Sequence, residues 1–235
     1  MKQLLRPLFL YLGSNSQMPT ETKENYLKAI YFLEQRNQKV TITELGEEMN
    51  VSKSTVNNMI KKLSTNGWIK YEKYKPIKLT KKGKVDAALI IRKHRLTEMF
   101  LVQIMGFGWE EVHLIAEEME HLKTDRFFDR MDEILGYPTA DPHGSPIPNA
   151  NGEVQSKSYV PLSTIPAGQK VSLRAIRDSS LALLTMLNEK KISLGVSFEI
   201  KKVEDFDKTM LVNYDKQKDI SLSHEVCKRL LVEPA

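Results

Sequence analysis

The stretch Thr43 to Leu63, TELGEEMNVSKSTVNNMIKKL, reads as two short helices joined by a tight turn. Val40-Thr41-Ile42 leads in, Thr43 can cap the first helix through Met49, and Asn50 stops it. Ser52 then caps a second helix, Lys53 to Asn66, whose Val56, Met59, Ile60 and Leu63 recur at helical spacing and point inward. Two short helices across Asn50-Val51-Ser52 form a helix-turn-helix pattern, in which the second helix reads the major groove. A bare helical hairpin is the plainer reading, and the next segment of the chain argues against it. Gly67 to Lys73 alternates as a strand, Tyr74-Lys75-Pro76 turns, and Ile77 to Thr80 returns as a second strand, which makes a wing.

Charge supports the same reading. Between Lys53 and Lys84 stand ten lysines and one acid, Glu72. Net charge over the chain is +5, so the excess is concentrated on the one module whose natural partner is a polyanion. Ser52, Lys53, Ser54, Thr55, Asn57, Asn58, Lys61 and Lys62 lie on the outward side of the second helix, with Lys73 and Lys75 at the wing. Asn can bond adenine bidentately, Ser and Thr serve phosphates or base edges, and Lys supplies charge.

Upstream, Thr20 to Gln35 is a helix with Tyr26, Leu27, Ile30, Tyr31 and Leu33 as its stripe; Thr20 or Thr22 can cap it, and Glu21 and Glu24 suit its positive end. Residues 1–17, MKQLLRPLFLYLGSNSQ, carry a short apolar run with no small-residue cleavage site after it, and are expected to be a poorly ordered extension or the product of an early start codon. The 235 residues are enough for more than one modest domain, and no apolar run approaches the roughly 20 residues of a membrane span. Cys227 is the single cysteine, which rules out an intramolecular disulfide or a thiolate metal cluster and fits the cytoplasm.

Downstream, Thr80 opens a long helix to about Met105, in which His94 and Glu98 share a face at i and i+4. Gly106-Phe107-Gly108 breaks it. Trp109 to Leu122, WEEVHLIAEEMEHL, then places His113, Glu117, Glu120 and His121 at offsets 0, 4, 7 and 8 on one helical face. Imidazoles and carboxylates in that arrangement suit Mn²⁺, Fe²⁺, Zn²⁺ or Co²⁺. A solvated acidic face with two incidental histidines is the bland alternative. Thr124 or Asp125 caps one more helix to about Leu135, and Gly136 to Gly152 is a Pro- and Gly-rich loop and linker holding Asp141 and His143, each a possible extra ligand. The remainder shifts to short strands at Val171 to Ile176, Val196 to Val203, Met210 to Tyr214, Ile220 to Leu222 and Leu230 to Val232. Helices at Ser179 to Asn188 and Ser223 to Lys228 complete a small SH3-like β-barrel.

This combination resembles the diphtheria toxin repressor family of metal-dependent regulators, on its manganese-transport branch. The resemblance runs from about Met18 to Leu231 and rests on Lys23-Glu24-Asn25-Tyr26-Leu27-Lys28, Val51-Ser52-Lys53-Ser54-Thr55-Val56, Arg92-Lys93-His94-Arg95-Leu96, Glu117-Glu118-Met119-Glu120-His121 and Asp141-Pro142-His143-Gly144. It implies a mainly α fold with a small β domain: a winged helix-turn-helix over 18–84, a helical metal-binding and dimerisation domain over 85–152, and an SH3-like, FeoA-like domain over 153–235. It further implies a homodimer that represses metal-uptake genes at operator DNA, with up to two ions per subunit. The regulatory ion would take Asn25, Glu117, Glu120, His121 and Asp141; the ancillary ion would take His94, Glu98, His113 and Asp178.

Three positions depart from the family pattern. Relatives carry an acid or Met at Asn25, close relatives a Cys at Asp141, and often a proline pair at Lys53-Ser54. The resulting oxygen-rich shell favours Mn²⁺ by softness, with Fe²⁺, Zn²⁺ or Co²⁺ as competitors. Two other readings compete: a winged-helix regulator that is constitutive or answers to another ligand, and a metal-dependent hydrolase. The hydrolase lacks an HExxH or comparable motif and leaves the basic wing idle.

Overall fold

The computed structural model describes residues 20–36, 39–155 and 157–234. The expectation for residues 1–17 lies outside them. The first described element is helix α1 (Thr20–Arg36), followed by α2 (Ile42–Glu48) and α3 (Lys53–Thr65). Thr41, not Thr43, caps α2: its hydroxyl accepts from the Glu44 N–H while the Glu44 carboxylate reaches back to the Thr41 N–H. This is a reciprocal capping box, and Thr43, two residues later, cannot make it because Glu44 must stand three positions on. Ser52 caps α3 as expected, accepting from the Thr55 N–H.

The wing is shorter than the alternation predicts. Only β1 (Ile69–Lys70) and β2 (Lys78–Leu79) pair, in antiparallel register, and Val40 adds a single bridge to Ile77. Tyr26, Leu27, Ile30, Val40, Leu45, Val56, Ile60, Leu63, Ile69, Ile77 and Leu79 form one core for this module. Helix α4 (Lys81–Gln103), capped by Thr80, runs out of it into the next domain. Gly83 lets it leave: a Cβ there would collide with the Trp68 carbonyl oxygen, so α4 is pressed against the wing backbone.

The second domain adds α5 (Val112–Met119) and α6 (Asp125–Ile134) to α4. Helix α5 is shorter than the Trp109–Leu122 span; Glu120 is its C-cap and His121 stands in the turn beyond. Thr124 precedes α6 without a side-chain cap hydrogen bond. The core here is small, built on Leu96, Phe128, Met131 and Ile147. Leu114, Phe127 and Ile134 remain exposed on α5 and α6.

The third domain is an antiparallel six-stranded sheet. In chain order it has β3 (Val160–Pro161), β4 (Lys170–Ile176), α7 (Leu181–Glu189), β5 (Ser197–Val203), β6 (Met210–Tyr214), β7 (Gln217–Leu222), α8 (His224–Arg229) and β8 (Leu230–Pro234). Strand order is β3-β8-β4-β5-β6-β7, and register shifts on β4, β5 and β6 bend the sheet around one core that includes Leu173, Phe198, Ile200, Val212 and buried Cys227. Strand β3 is too short to show any periodicity in the sequence. The loop after α6 helps fasten this domain to the second. The His143 carbonyl accepts from the Ile176 N–H, and Gly144, at φ +84°, lies so close to Arg174 and Ala175 of β4 that no side chain fits. No helix among the described residues is long and apolar enough to cross a membrane.

Candidate metal centre

Three helices and one loop converge between the first two domains. Helix α4 contributes His94 and Glu98, both buried, one turn apart on the same face. Helix α5 contributes His113 and Glu117, with Glu120 and His121 just past its end. Helix α1 faces them with Glu24 and Lys28, again i and i+4. The loop between α6 and β3 brings in Asp141 and His143, both buried.

His94 stands at the middle of this assembly. Its Nδ1 is 2.6 Å from Glu120 Oε2, while its Nε2 is 3.0 Å from Glu98 Oε1 and 3.2 Å from His113 Nδ1. Burial disfavours the imidazolium, but the hydrogen bonds to Glu120 and Glu98 outweigh it and push the His94 pKa up to about 9. For Glu98, burial alone would raise the carboxyl; hydrogen bonds from His113 and His94 instead hold it far below its usual range. Glu120 is likewise lowered, against burial, by the His94 hydrogen bond and the Lys28 charge. Both carboxylates are thus favoured in their charged form, Glu98 by His113 and His94 and Glu120 by His94 and Lys28.

On one side of His94, the donor atoms of His94, Glu98 and His113 lie within 4.8 Å of one another. Glu98, Asp141 and His143 form a second set within the same spread. Glu98 belongs to both, with Oε2 3.8 Å from His143 Nδ1. The His143 ring is oriented by its other nitrogen: Nε2 is 2.8 Å from the Trp109 carbonyl oxygen, which only an N–H can satisfy. Trp109 also stacks on that ring. Asp141 is heavily engaged, as Oδ1 accepts from the His143 and Ser145 N–H groups and Oδ2 is 3.4 Å from Arg95 Nε. Burial, then the nearby Glu98 carboxylate, still raise its pKa.

On the other side, His121 Nδ1 is 2.7 Å from Glu24 Oε2, and His121 Nε2 is 3.7 Å from Glu120 Oε1. The ammonium of Lys28 sits 2.6 Å from the same Glu120 oxygen and 3.7 Å from Glu117 Oε1. The Glu120 and Glu117 carboxylates, with His121 beside Glu120, thus already face one cation at this place. That is a direct indication that the pocket suits positive charge, and its donors are those that Mn²⁺, Fe²⁺ and Zn²⁺ accept.

The expected ligands are divided by this geometry. His94, Glu98 and His113 come together within 4.8 Å. Glu120 and His121 are neighbours at 3.7 Å, while Glu117 turns to His113 Nε2 at 3.5 Å and to Lys28, so these three are not gathered as tightly. Asn25 makes no hydrogen bond to Glu120 or His121; Glu24, one residue earlier, takes that place. Asp141 lies with Glu98 and His143 rather than with Glu120. Asp178 is in neither group: it sits in the bend after β4 at φ +52°, half exposed, with a carboxylate oxygen 3.5 Å from Arg36 Nη2 of α1. Sequence reasoning assigned Glu24 only to the helix dipole and gave Lys28 no role.

On the basic module, Lys53, Ser54, Thr55, Asn58, Lys61, Lys62, Lys73 and Lys75 are exposed. Ser52 Oγ is engaged as the cap of α3, and Asn57 Nδ2 donates back to the Lys53 carbonyl. Lys75 pairs with Glu72, and Lys73 lies over the ring of exposed Tyr74 at the wing tip.

Comparison with known families agrees with this layout, domain by domain. Residues 18–77 match the N-terminal DNA-binding domain of iron-dependent repressors, residues 80–149 their metal-binding and dimerisation domain, and residues 160–234 the FeoA domain. The chain belongs to the iron-dependent repressor family. Members of this family are transcriptional repressors rather than enzymes. The iron-dependent repressor IdeR of Mycobacterium tuberculosis (strain ATCC 25618 / H37Rv) is 27% identical over 225 residues, covering 91% of this chain and 97% of its own. A manganese-dependent transcriptional repressor in complex with manganese superposes with a TM-score of 0.82 at 31% identity, over 91% of this chain and all of that one. ScaR with bound Cd²⁺ gives 0.76 at 34% identity, over 91% and 99%. The metals named for these relatives differ from one to the next.

Proposed function

We propose that this repressor is activated by Mn²⁺, binds operator DNA as a homodimer and controls genes for metal uptake. The observation that carries the reading is the juxtaposition of α1 of the DNA-binding domain with α5 of the second domain across Glu24, Glu117, Glu120 and His121. A divalent ion would be held there by those four side chains, and a second at His94, Glu98 and His113, with His143 on the far side of Glu98. Asn25 and Asp178 are the weaker ligands on this geometry, whereas Asp141 would serve with Glu98 and His143 rather than with Glu120. Carboxylate-rich donors favour Mn²⁺ on hardness, and the manganese-named structural relatives support it; Fe²⁺, Zn²⁺ and Co²⁺ are the competitors. Such a protein works beside the chromosome, in the cytoplasm.

Control follows by linkage. Ligands from both α1 and α5 make metal affinity depend on how the winged helix is seated. Whatever favours the seated form for metal favours it equally for DNA, so operator DNA must tighten metal in return. The exposed Leu114, Phe127 and Ile134 on the two helices of a small core supply the apolar surface that a dimer interface needs.

The test is retention of fragmented genomic DNA by chelator-treated protein, with and without added Mn²⁺ at fixed salt. Metal-dependent enrichment of a few promoter fragments is expected, and Glu120→Gln should abolish it while leaving the dimer intact. Equal retention with and without metal would favour a constitutive regulator whose Glu/His assembly is structural.

A further inference from the structure

Lys28 is the one group in the regulatory cluster that a metal-binding function does not use. It lies one helical turn after Glu24 on α1 and reaches across to α5. Its Nζ is 2.6 Å from Glu120 Oε1 and 3.7 Å from Glu117 Oε1, and its side chain is 15% exposed. The Glu120 side chain is fully buried, and its other oxygen is taken by His94 Nδ1. His121 Nε2 turns toward the same Oε1 that Lys28 occupies. The ammonium is therefore centred where the oxygen donors converge.

A buried carboxylate left with no cation is costly, whereas a lysine on a flexible stem with a path to solvent can withdraw once another cation arrives. Resting on the metal-dependent reading above, we propose that Lys28 is a tethered competitor cation for the regulatory site. In the metal-free protein it neutralises Glu120 and ties α1 to α5. A divalent ion must displace it from Glu120 Oε1 before it gains that ligand, so Lys28 sets the metal concentration at which the site fills. A bystander salt bridge at the rim of the site would not act this way. The full burial of Glu120 and the sharing of one oxygen between Lys28 and His121 separate the two cases.

The experiment is titration of the full-length, chelator-treated protein with Mn²⁺ alone by calorimetry, comparing wild type with Lys28→Gln, Lys28→Arg and Glu120→Gln. Removing the competitor should tighten Mn²⁺ binding on the order of tenfold, the size of one charge-assisted hydrogen bond, and Lys28→Arg should stay near wild type. In chelator, Lys28→Gln should melt below wild type, and added Mn²⁺ should raise its melting temperature by more. Lys28→Met gives the same loss of charge with the stem retained if Gln disturbs folding. Unchanged or weaker Mn²⁺ binding by the uncharged variants, with Glu120→Gln still impaired, overturns the role of Lys28 and leaves the metal site standing. Undiminished binding by Glu120→Gln overturns the site itself.

Discussion

At Gly83 a single hydrogen in place of a methyl decides whether α4 can leave the wing. Ala is the better helix former by roughly 0.8–1 kcal/mol, so the substitution would stabilise an exposed helix. Here the new Cβ meets the Trp68 carbonyl, which is backbone and cannot rotate away. Overpacking then wins, and Gly83→Ala should lower stability by about 1–3 kcal/mol in denaturant unfolding. An increase in stability would mean that α4 can slide off the wing. The same scale governs His94, whose two ring nitrogens face different clusters. Nδ1 binds Glu120 of one and Nε2 faces Glu98 and His113 of the other, so this side chain is shared by both sides of the centre.

Among the elements, α3 and the wing carry the DNA-facing charge. Ser52 and Asn57 spend their side-chain hydrogen bonds on α3 itself, and the Ser54 and Thr55 hydroxyls are shared with Ser52, so on the DNA-binding reading Lys53, Asn58, Lys61 and Lys62 are the exposed side chains left to face the groove. The wing lysines Lys73 and Lys75 stand at a tip with exposed Tyr74, and we propose that they would serve phosphates rather than bases. Replacing both with Ala should weaken binding about equally for all sequences. It should also reduce the slope of log affinity against log salt by roughly 1 for each phosphate no longer neutralised. A loss confined to one operator, with the salt slope unchanged, would place them at base edges instead. Helix α5 shows how an element's end changes chemistry. Because it stops at Met119, Glu120 is fully buried against His94 while His113 and Glu117 stay half exposed.

For the whole molecule, the second domain is the weakly cored part between two well-cored ones. Leu114 is 73% exposed, so Leu114→Glu adds a charge without removing any packing inside the subunit. On the dimer reading it should shift the protein to monomer in sedimentation at micromolar concentration and abolish operator retention, while leaving the circular dichroism spectrum unchanged. A variant that stays dimeric would move the interface off α5. The third domain is held to this region by the loop around His143 and Gly144, and by a hydrogen bond from Trp109 Nε1 to Asn188 at the end of α7. Its orientation thus depends on the same loop that carries Asp141 and His143.

The sequence alone determined what is local. Caps, helical spacing and the lysine-rich run disclosed the winged module. Alternation and turn residues located nearly every strand of the third domain, and residue type marked the His and Glu positions as candidate ligands. It could not determine which of two neighbours faces inward. Glu24 and Asn25 are about 100° apart on α1, and only packing against α5 chose Glu24 as the partner of His121. The tertiary structure likewise drew His143 to Glu98, left Asp178 beside Arg36, and set Lys28 among the carboxylates. Contacts across 92 residues, such as that of Lys28 with Glu120, leave no periodic trace in a sequence, because their energy appears only once both elements are in place.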